Sequence, residues 1–146
     1  MHTVTKSYRD FPAAHRQPDH DGHCRLIHGH NWGFDITFAA RELDSCGFVV
    51  DVGKLQVVKQ YLTDMFDHTL LINHEDPLRD EITKKLSGLA NIVFVPNCGM
   101  EGLAKLVYAS IQEIVWSEES FASRGLVVTQ VICFEDSKNS STYCPE

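Results

Sequence analysis

The chain has 146 residues, 43% of them hydrophobic, which is enough for one globular domain over residues 1–146 with a substantial core. Thirteen Lys and Arg against 20 Asp and Glu give a net charge of −7, which argues against binding to nucleic acid or to an anionic membrane. No apolar run approaches the roughly 20 residues that cross a bilayer, and the polar start lacks the apolar stretch of a signal peptide. We therefore expect a cytoplasmic protein that acts on a small molecule.

The cysteines do not form a recognisable framework. They are five, widely spaced, and include no Cys-x-x-Cys pair, so neither a disulfide scaffold nor a thiolate-rich zinc module is indicated. We expect reduced thiols, most of them inert, with Cys133 as a small buried hydrophobe in a strand. Cys24 differs from the others only through its neighbours.

Two strands are predicted in the first 41 residues. The first runs over about 4–14, a polar loop follows over 17–24, and the second strand runs from His28 to about Arg41. The second strand alternates regularly between apolar and polar residues. Its apolar face carries His28, His30, Trp32, Phe34, Ile36 and Phe38. The two histidines therefore continue a face that is expected to be buried.

Two amphipathic helices are predicted downstream. Asp51 is a plausible N-cap for the first, whose apolar residues recur at helical spacing to about Phe66. The second begins at 97–99 and buries a face that extends to Val115. Both helices are expected to pack against a sheet.

The stretch 73–97 between the helices is predicted to be an elaboration, with a charged helical piece near 79–86 and a short apolar strand over 92–95. A final strand over 126–135 closes the domain. The order of elements favours an α+β fold with the helices on one face of a sheet.

The segment His28-Gly29-His30 is the strongest chemical signal in the chain. Residues two apart in a strand point to the same side, so both imidazoles could bind one ion, with His15 on a neighbouring strand as the third nitrogen. Three imidazoles with an open fourth position are typical of catalytic zinc. The alternative is a chance pair of buried histidines, which would each need a polar partner.

The motifs together resemble a known family. They are Phe11-x-Ala-Ala-His15, Cys24-x-x-x-His28-Gly-His30, Gly47-x-x-x-Asp51, Asp67-His68, Glu101 at a helix start, and Glu135 with Tyr143 eight residues later. The chain is similar to 6-pyruvoyltetrahydropterin and 6-carboxytetrahydropterin synthases over nearly its whole length. The resemblance implies a tunnelling fold: an antiparallel four-stranded sheet with two long helices on one face. It also implies subunits that join edge to edge into a trimeric barrel, usually paired into a homohexamer.

The short spacing between Cys24 and His28 resembles the bacterial carboxy-type enzymes. That likeness implies conversion of 7,8-dihydroneopterin triphosphate to 6-carboxy-5,6,7,8-tetrahydropterin, with release of triphosphate and acetaldehyde. The enzyme would be a zinc-dependent carbon-carbon lyase on the route to 7-deazapurines such as queuosine.

The resemblance also implies roles for single residues near the metal. Zinc on His15, His28 and His30 would polarise the pterin side chain as a Lewis acid. Cys24 would act as the thiolate base that removes a proton. His68, oriented by Asp67, would shuttle the proton. The alternative for Asp67-His68 is a solvated helix C-terminus.

Two acids are implied in substrate binding. Glu135 matches the carboxylate that accepts hydrogen bonds from the pterin amino group and N3, although a strand-end glutamate is often simply exposed. Glu101 is a weaker candidate that favours the helix start and supports the pocket wall. Where many relatives carry Pro-Thr-x-Glu, this chain has Cys98-Gly99-Met100-Glu101, so a hydroxyl contact to the pterin is missing.

Two other functions stay open on the sequence. One is a pyruvoyl-type synthase, with the same metal and base but retention of the side-chain carbons. The other is a non-catalytic zinc-stabilised oligomer in which Cys24 joins the three histidines as a closed fourth ligand.

Overall fold

Two long antiparallel strands form the centre of the sheet. The computed structural model describes all 146 residues of the chain. Its strands are β1 (His2–His15), β2 (His28–Ala40), β3 (Thr69–Asn73), β4 (Asn91–Val95), β5 (Val127–Phe134) and β6 (Ser140–Tyr143). Its helices are α1 (Gln56–Phe66), α2 (Arg79–Lys85), α3 (Met100–Ser117) and α4 (Glu119–Ala122), with short 3-10 turns at His23–Arg25 and Val52–Lys54.

The sheet has six strands in the order β4-β3-β1-β2-β5-β6 and is mixed. The four strands β1, β2, β5 and β6 pair antiparallel, whereas β3 pairs parallel with β1 and β4 pairs parallel with β3. The prediction of a four-stranded antiparallel sheet is therefore wrong for the whole sheet and describes only one part of it. The α+β class is confirmed.

Of the two additional strands, β3 escaped prediction for a local reason. Strand β3 is a five-residue run, Thr-Leu-Leu-Ile-Asn, in which four residues are buried, so it carries no alternation that would distinguish it from the end of a helix. Helix α2 and strand β4 do form where the elaboration was predicted to contain them. What the sequence did not indicate was that β3 and β4 extend the main sheet.

The two long helices form close to their predicted positions. Asp51 caps the 3-10 turn by accepting a hydrogen bond from the Gly53 amide at 2.9 Å, and α1 itself begins only at Gln56. Helix α3 follows Gly99, and its buried face packs on β5. No helix in the structure is long and apolar enough to cross a membrane.

The alternation predicted for β2 is confirmed, with Trp32, Phe34, Ile36 and Phe38 fully buried on one face. Strand β1 contains a bulge, since Tyr8 pairs with Phe34 while Phe11, three residues later, pairs with Trp32. Asp10 in the bulge has a φ of 70°, a left-handed conformation that aspartate tolerates better than most residues.

Both outer edges of the antiparallel part lack complete pairing within one chain. Strand β3 covers only Ala13–His15 of β1, so the first part of that strand has no neighbour on its outer side. Strand β6 is the last strand of the sheet on the other side. Unpaired strand edges readily pair with a strand from another chain.

Candidate metal centre

The register of the two central strands brings three histidines together. His15 is aligned with His28, and Ala13 is aligned with His30, so the ends of β1 and β2 meet at one corner of the sheet. The extra residue in the bulge places Arg9 and Asp10 outside in succession, so that Phe11, Ala13 and His15 share the core-facing side with Tyr8. The predicted grouping of the three histidines is found in the structure.

The imidazole nitrogens and one carboxylate lie around a common point. Nε2 of His15 is 3.1 Å from Nε2 of His28. Oε1 of Glu135 is 3.1 Å from Nε2 of His30 and 3.5 Å from Nε2 of His15. One atom from each of these four residues lies within 4.8 Å of the others. This group, the histidine cluster, has the donor set of a metal site.

Main-chain carbonyls fix the orientation of two rings. Nδ1 of His15 is 2.7 Å from the Cys98 carbonyl, and Nδ1 of His28 is 2.7 Å from the Leu26 carbonyl. A carbonyl only accepts, so both Nδ1 atoms carry hydrogen and both Nε2 atoms of the neutral rings present lone pairs. Carbonyl partners of this kind are the usual second support of metal-binding histidines.

The facing lone pairs indicate what the cluster binds. Two acceptor nitrogens 3.1 Å apart repel unless a cation lies between or beside them. Nε2 of His30 is buried without a hydrogen-bond partner, and the nearest charged atom is the Glu135 oxygen at 3.1 Å. Buried polar atoms without partners are rare and are satisfied by a bound ion in metal sites. The residues present therefore fit a metal ion.

Burial keeps the first histidine neutral. His15 is 1% exposed, and its ring packs edge-on against Trp32. Burial, with smaller contributions from the neighbouring His28 and His30, lowers the pKa of His15 to about 4 against the opposing effect of the hydrogen bond to the Cys98 carbonyl. At neutral pH the ring is thus uncharged, which is the form that binds metals.

Cys24 is close to His28 in the sequence, but its sulfur is not among the ligand atoms of the histidine cluster. It is a free, half-buried thiol on the 3-10 turn His23–Arg25, two residues before the carbonyl that holds His28. Its own carbonyl accepts a hydrogen bond from the Gln17 amide at 2.8 Å, which ties the two ends of the loop together.

Asp67 and His68 form a pair of their own, here called the Asp67–His68 corner. Nδ1 of His68 is 2.7 Å from Oδ1 of Asp67, and the His68 amide donates to the Pro12 carbonyl at 2.8 Å. The His68 side chain is 83% exposed, its φ is 58°, and neither residue is a member of the histidine cluster. The corner is nevertheless near, because Thr69, Ala13 and His30 are aligned in one row across the sheet.

The two predicted acids occupy different places. Glu135 follows the end of β5 and its carboxylate faces the cluster, 22% exposed, whereas Glu101 lies exposed in the first turn of α3. The position of Glu135 against the histidines was not anticipated, because it depends on the pairing of Phe134 with Gly33. The roles of Cys98 as carbonyl partner and of Asn73 behind it were also missed, and no sequence signal points to them. His20, His23 and His74 are exposed, as expected of loop residues.

A mixed α+β sheet with two main helices and a three-histidine, one-carboxylate cluster at the end of its central strands defines the general class, a candidate metalloprotein of the α+β type. A sequence model of the family described as 6-pyruvoyl tetrahydropterin synthase matches residues 3–146, and the chain belongs to that family.

Curated relatives carry the name of the carboxy-type enzyme. The chain is 37% identical over 68 residues to 6-carboxy-5,6,7,8-tetrahydropterin synthase of Rickettsia typhi, covering 46% of this chain and 49% of that protein. It is 41% identical over 70 residues to the protein of the same name in Bacillus subtilis, covering 47% and 46%. The chain thus spans about half the length of the curated relatives it matches.

Solved structures share the fold over almost the whole chain. A crystal structure of an uncharacterised protein from Wolinella succinogenes has a TM-score of 0.81 at 19% identity, covering 99% of this chain and 98% of that one. The 6-pyruvoyl tetrahydropterin synthase of Caenorhabditis elegans has a TM-score of 0.65 at 23% identity, covering 100% and 98%. These likenesses establish the fold.

Proposed function

We propose that the chain is a zinc-dependent 6-carboxytetrahydropterin synthase. It converts 7,8-dihydroneopterin triphosphate to 6-carboxy-5,6,7,8-tetrahydropterin and releases acetaldehyde and triphosphate, as a carbon-carbon lyase in the synthesis of queuosine. The observation that carries the proposal is the convergence of three imidazoles and a carboxylate in a member of this family. The names of the curated relatives favour the carboxy product.

His15, His28 and His30 are the proposed zinc ligands, because their Nε2 atoms face one another while carbonyls hold two of the rings from behind. When bound, zinc supplies Lewis-acid chemistry that polarises substrate oxygens and acidifies the adjacent carbon-bound protons. The three rings leave a further position free for a substrate oxygen if Glu135 turns away.

Cys24 is the proposed base that takes a proton from the substrate carbon. Its support is its place on the short turn next to the carbonyl that orients His28, and its free, half-accessible thiol. A thiolate close to a bound cation is stabilised, which suits proton removal. Cys46, an exposed free thiol in a distant turn, offers a matched comparison.

His68 is the proposed proton shuttle, oriented by Asp67 through the 2.7 Å contact of Nδ1 with the carboxylate. That contact leaves Nε2 directed away from Asp67 and available to a substrate. A left-handed backbone at an exposed, non-glycine residue costs free energy and is most often retained at functional sites.

Glu135 is the proposed anchor for the pterin ring, with Glu101 at the pocket wall. A carboxylate accepts two parallel hydrogen bonds from an amino group and the neighbouring ring nitrogen. The Glu135 carboxylate lies at the cluster and keeps partial access to solvent, so it can serve the ring beside the metal.

The proposed assembly is a homo-oligomer, a trimer or a pair of trimers, joined through the sheet edges. The outer edge of β1 before Ala13 and the outer edge of β6 have no partner strand within the chain. Pairing of these edges between subunits removes unpaired main-chain groups and brings new surface to the exposed His68.

Two alternatives stay in view. The description of the matched family favours a pyruvoyl-type synthase. In a non-catalytic oligomer, a fourth protein ligand closes the zinc site, and Glu135 rather than Cys24 lies within reach of the histidines for that purpose.

The deciding experiment incubates the zinc-loaded protein with 7,8-dihydroneopterin triphosphate, weighs the pterin product by mass spectrometry and assays acetaldehyde. We expect a carboxy product with equimolar acetaldehyde from the wild type and from Cys46→Ala, and no product from Cys24→Ala with zinc still bound. A pyruvoyl product transfers the chain to the first alternative. Bound zinc without turnover in every condition leaves the non-catalytic alternative.

A further inference from the structure

The main chain of Cys98 lies between His15, a candidate metal ligand, and the end of β3. On one side its carbonyl is 2.7 Å from Nδ1 of His15. On the other side its amide donates to Oδ1 of Asn73 at 2.7 Å. Asn73 is the last residue of β3, 25 positions before Cys98. The main chain of one residue, Cys98, thus links Asn73 to the ring of His15 through two successive peptide groups.

Cys98 needs this support because no regular element holds its main chain. It lies after the end of β4 at Val95 and before the start of α3 at Met100. Its amide makes neither a strand nor a helix hydrogen bond, and Asn73 provides the acceptor. A buried amide without an acceptor would cost about 1–3 kcal/mol.

The thiol of Cys98 makes a further tie to the same strand end. Sγ donates to the Arg16 carbonyl at 3.0 Å. Burial raises the pKa of the Cys98 thiol to about 11, so the sulfur keeps its proton at neutral pH. The residue after His15 is therefore held by the residue that orients His15.

Asp76 holds the side chain of Arg16. Its carboxylate is fully buried and lies 2.8 Å from Nε of Arg16, whose side chain is 14% exposed. The other Asp76 oxygen accepts the amide of Leu78 at 2.9 Å, so the carboxylate is fixed from its own loop. The contacts of Arg16 with Cys98 and with Asp76 therefore both connect the His15 end of β1 to the stretch between β3 and α3.

We propose that the segment from Asn73 to Cys98 is a brace that holds His15 in the geometry needed for metal binding, with Asn73 as the positioning residue. The inference rests on the proposed metal site and adds a reason for the elaboration between the two long helices. The brace acts on the ring from the side opposite the metal. Such supports typically change metal affinity by about 10- to 100-fold when they are removed.

The sequence at position 98 agrees with this arrangement. A proline at this position would have no amide hydrogen and would leave Asn73 without its donor. Cysteine supplies both the amide hydrogen and a thiol hydrogen, and the structure uses both. Asn73 and Cys98 thus form a matched pair in this chain.

The test compares zinc affinity in four proteins by competition with a chromophoric chelator, together with the visible spectrum of the cobalt-substituted forms. Asn73→Ala removes the acceptor, and Asn73→Asp keeps an oxygen in its place. Asn91→Ala is the matched control, because Asn91 is exposed at the start of β4. The thermal midpoint of each metal-free protein is recorded to separate stability from positioning.

We expect zinc affinity to fall about 10- to 100-fold in Asn73→Ala, with an altered cobalt spectrum. Asn73→Asp should return to within about threefold of wild type, and Asn91→Ala should match it. The brace is refuted if Asn73→Ala binds zinc within twofold of wild type with an unchanged spectrum, however far its midpoint falls. It is also refuted if Asn73→Asp is as weak as Asn73→Ala.

Failure of the proposed function gives a different result. A wild-type protein that binds no zinc removes the metal site and the brace together, whereas normal binding by wild type and Asn73→Ala alike removes only the brace. If Asn73→Ala does not fold, the imidazole tautomer of His15 in the wild type decides, measured by nitrogen-15 NMR with His15→Gln for assignment. Hydrogen on Nδ1 supports the brace, and hydrogen on Nε2 overturns it.

Discussion

His15 is 1% exposed and His68 is 83% exposed, although both are at the same end of β1. His15 is the last residue of that strand, and the His68 amide donates to the Pro12 carbonyl three residues before it. His15 is held by the main-chain carbonyl of Cys98, and the amide of the same residue is held by Asn73. His68 is held only by its neighbour Asp67 and by its own amide. Under the proposed function, a single chain therefore builds the metal site, while the proton shuttle needs surface from another subunit to enclose it.

The largest effect is expected from breaking the cluster itself. His28→Ala should weaken zinc binding about 100-fold or more, because the roughly 10–16 kcal/mol of a structural zinc site is shared among about four ligands. Turnover should be lost with the metal. Equilibrium dialysis with metal analysis measures the change, and His23→Ala, in the exposed 3-10 turn, is the control. Undiminished zinc in His28→Ala would refute the ligand assignment.

A substitution in the Asp67–His68 corner should lower turnover without reducing the zinc content. We expect His68→Ala to lower kcat by about 10²- to 10⁴-fold, the usual contribution of a general acid or base, with the zinc content unchanged. His74→Ala, another exposed histidine, should leave both quantities as they are. Steady-state kinetics with metal analysis provides the comparison. Loss of zinc from His68→Ala would remove the distinction between the two regions.

Breaking the buried ion pair tests how firmly the cluster end is fixed. Arg16→Met leaves the buried Asp76 carboxylate without its charged partner and should lower the free energy of unfolding of the metal-free protein by about 3 kcal/mol. Lys85→Met removes an exposed pair with Glu81 and should have no measurable effect. Urea titrations followed by circular dichroism measure both. Equal stability of the two variants would contradict the account.

Glu135 lies at the histidine cluster but is proposed to bind the substrate, so its substitution should affect KM rather than zinc binding. As a ring anchor, Glu135→Gln should raise KM about tenfold through loss of a charge-assisted hydrogen bond, with zinc retained by the three histidines. Glu101→Gln, in the exposed first turn of α3, should raise KM less. A change in the cobalt spectrum of Glu135→Gln with KM unaltered would instead make Glu135 a metal ligand.

The convergence of His28 and His30 was predictable because its signal is local. Alternation along β2 places His28 and His30 on the buried side, and this pattern is fixed by the period of a strand rather than by its partners. The parallel strands were not predictable in the same way, since β3 is a short run of buried residues without a period. Its pairing with β1 is a tertiary property.

The parts of the site that depend on contacts between distant positions were not predictable for the same reason. Glu135 reaches the histidines only because β5 is aligned with β2 at Phe134 and Gly33. Cys98 reaches His15 across 83 positions and Asn73 across 25. A single sequence carries no periodic mark of such pairs, because each depends on how separate elements pack.

The bulge in β1 bears on how this strand tolerates changes in length. Tyr8 and Phe11 both face the core, and a strand shorter by one residue between them would keep both on that face by simple alternation. Deletion of one residue at Arg9 or Asp10 would therefore turn the bulge into regular strand and leave His15 aligned with His28. The position of the histidine-bearing end of β1 thus does not depend on this extra residue.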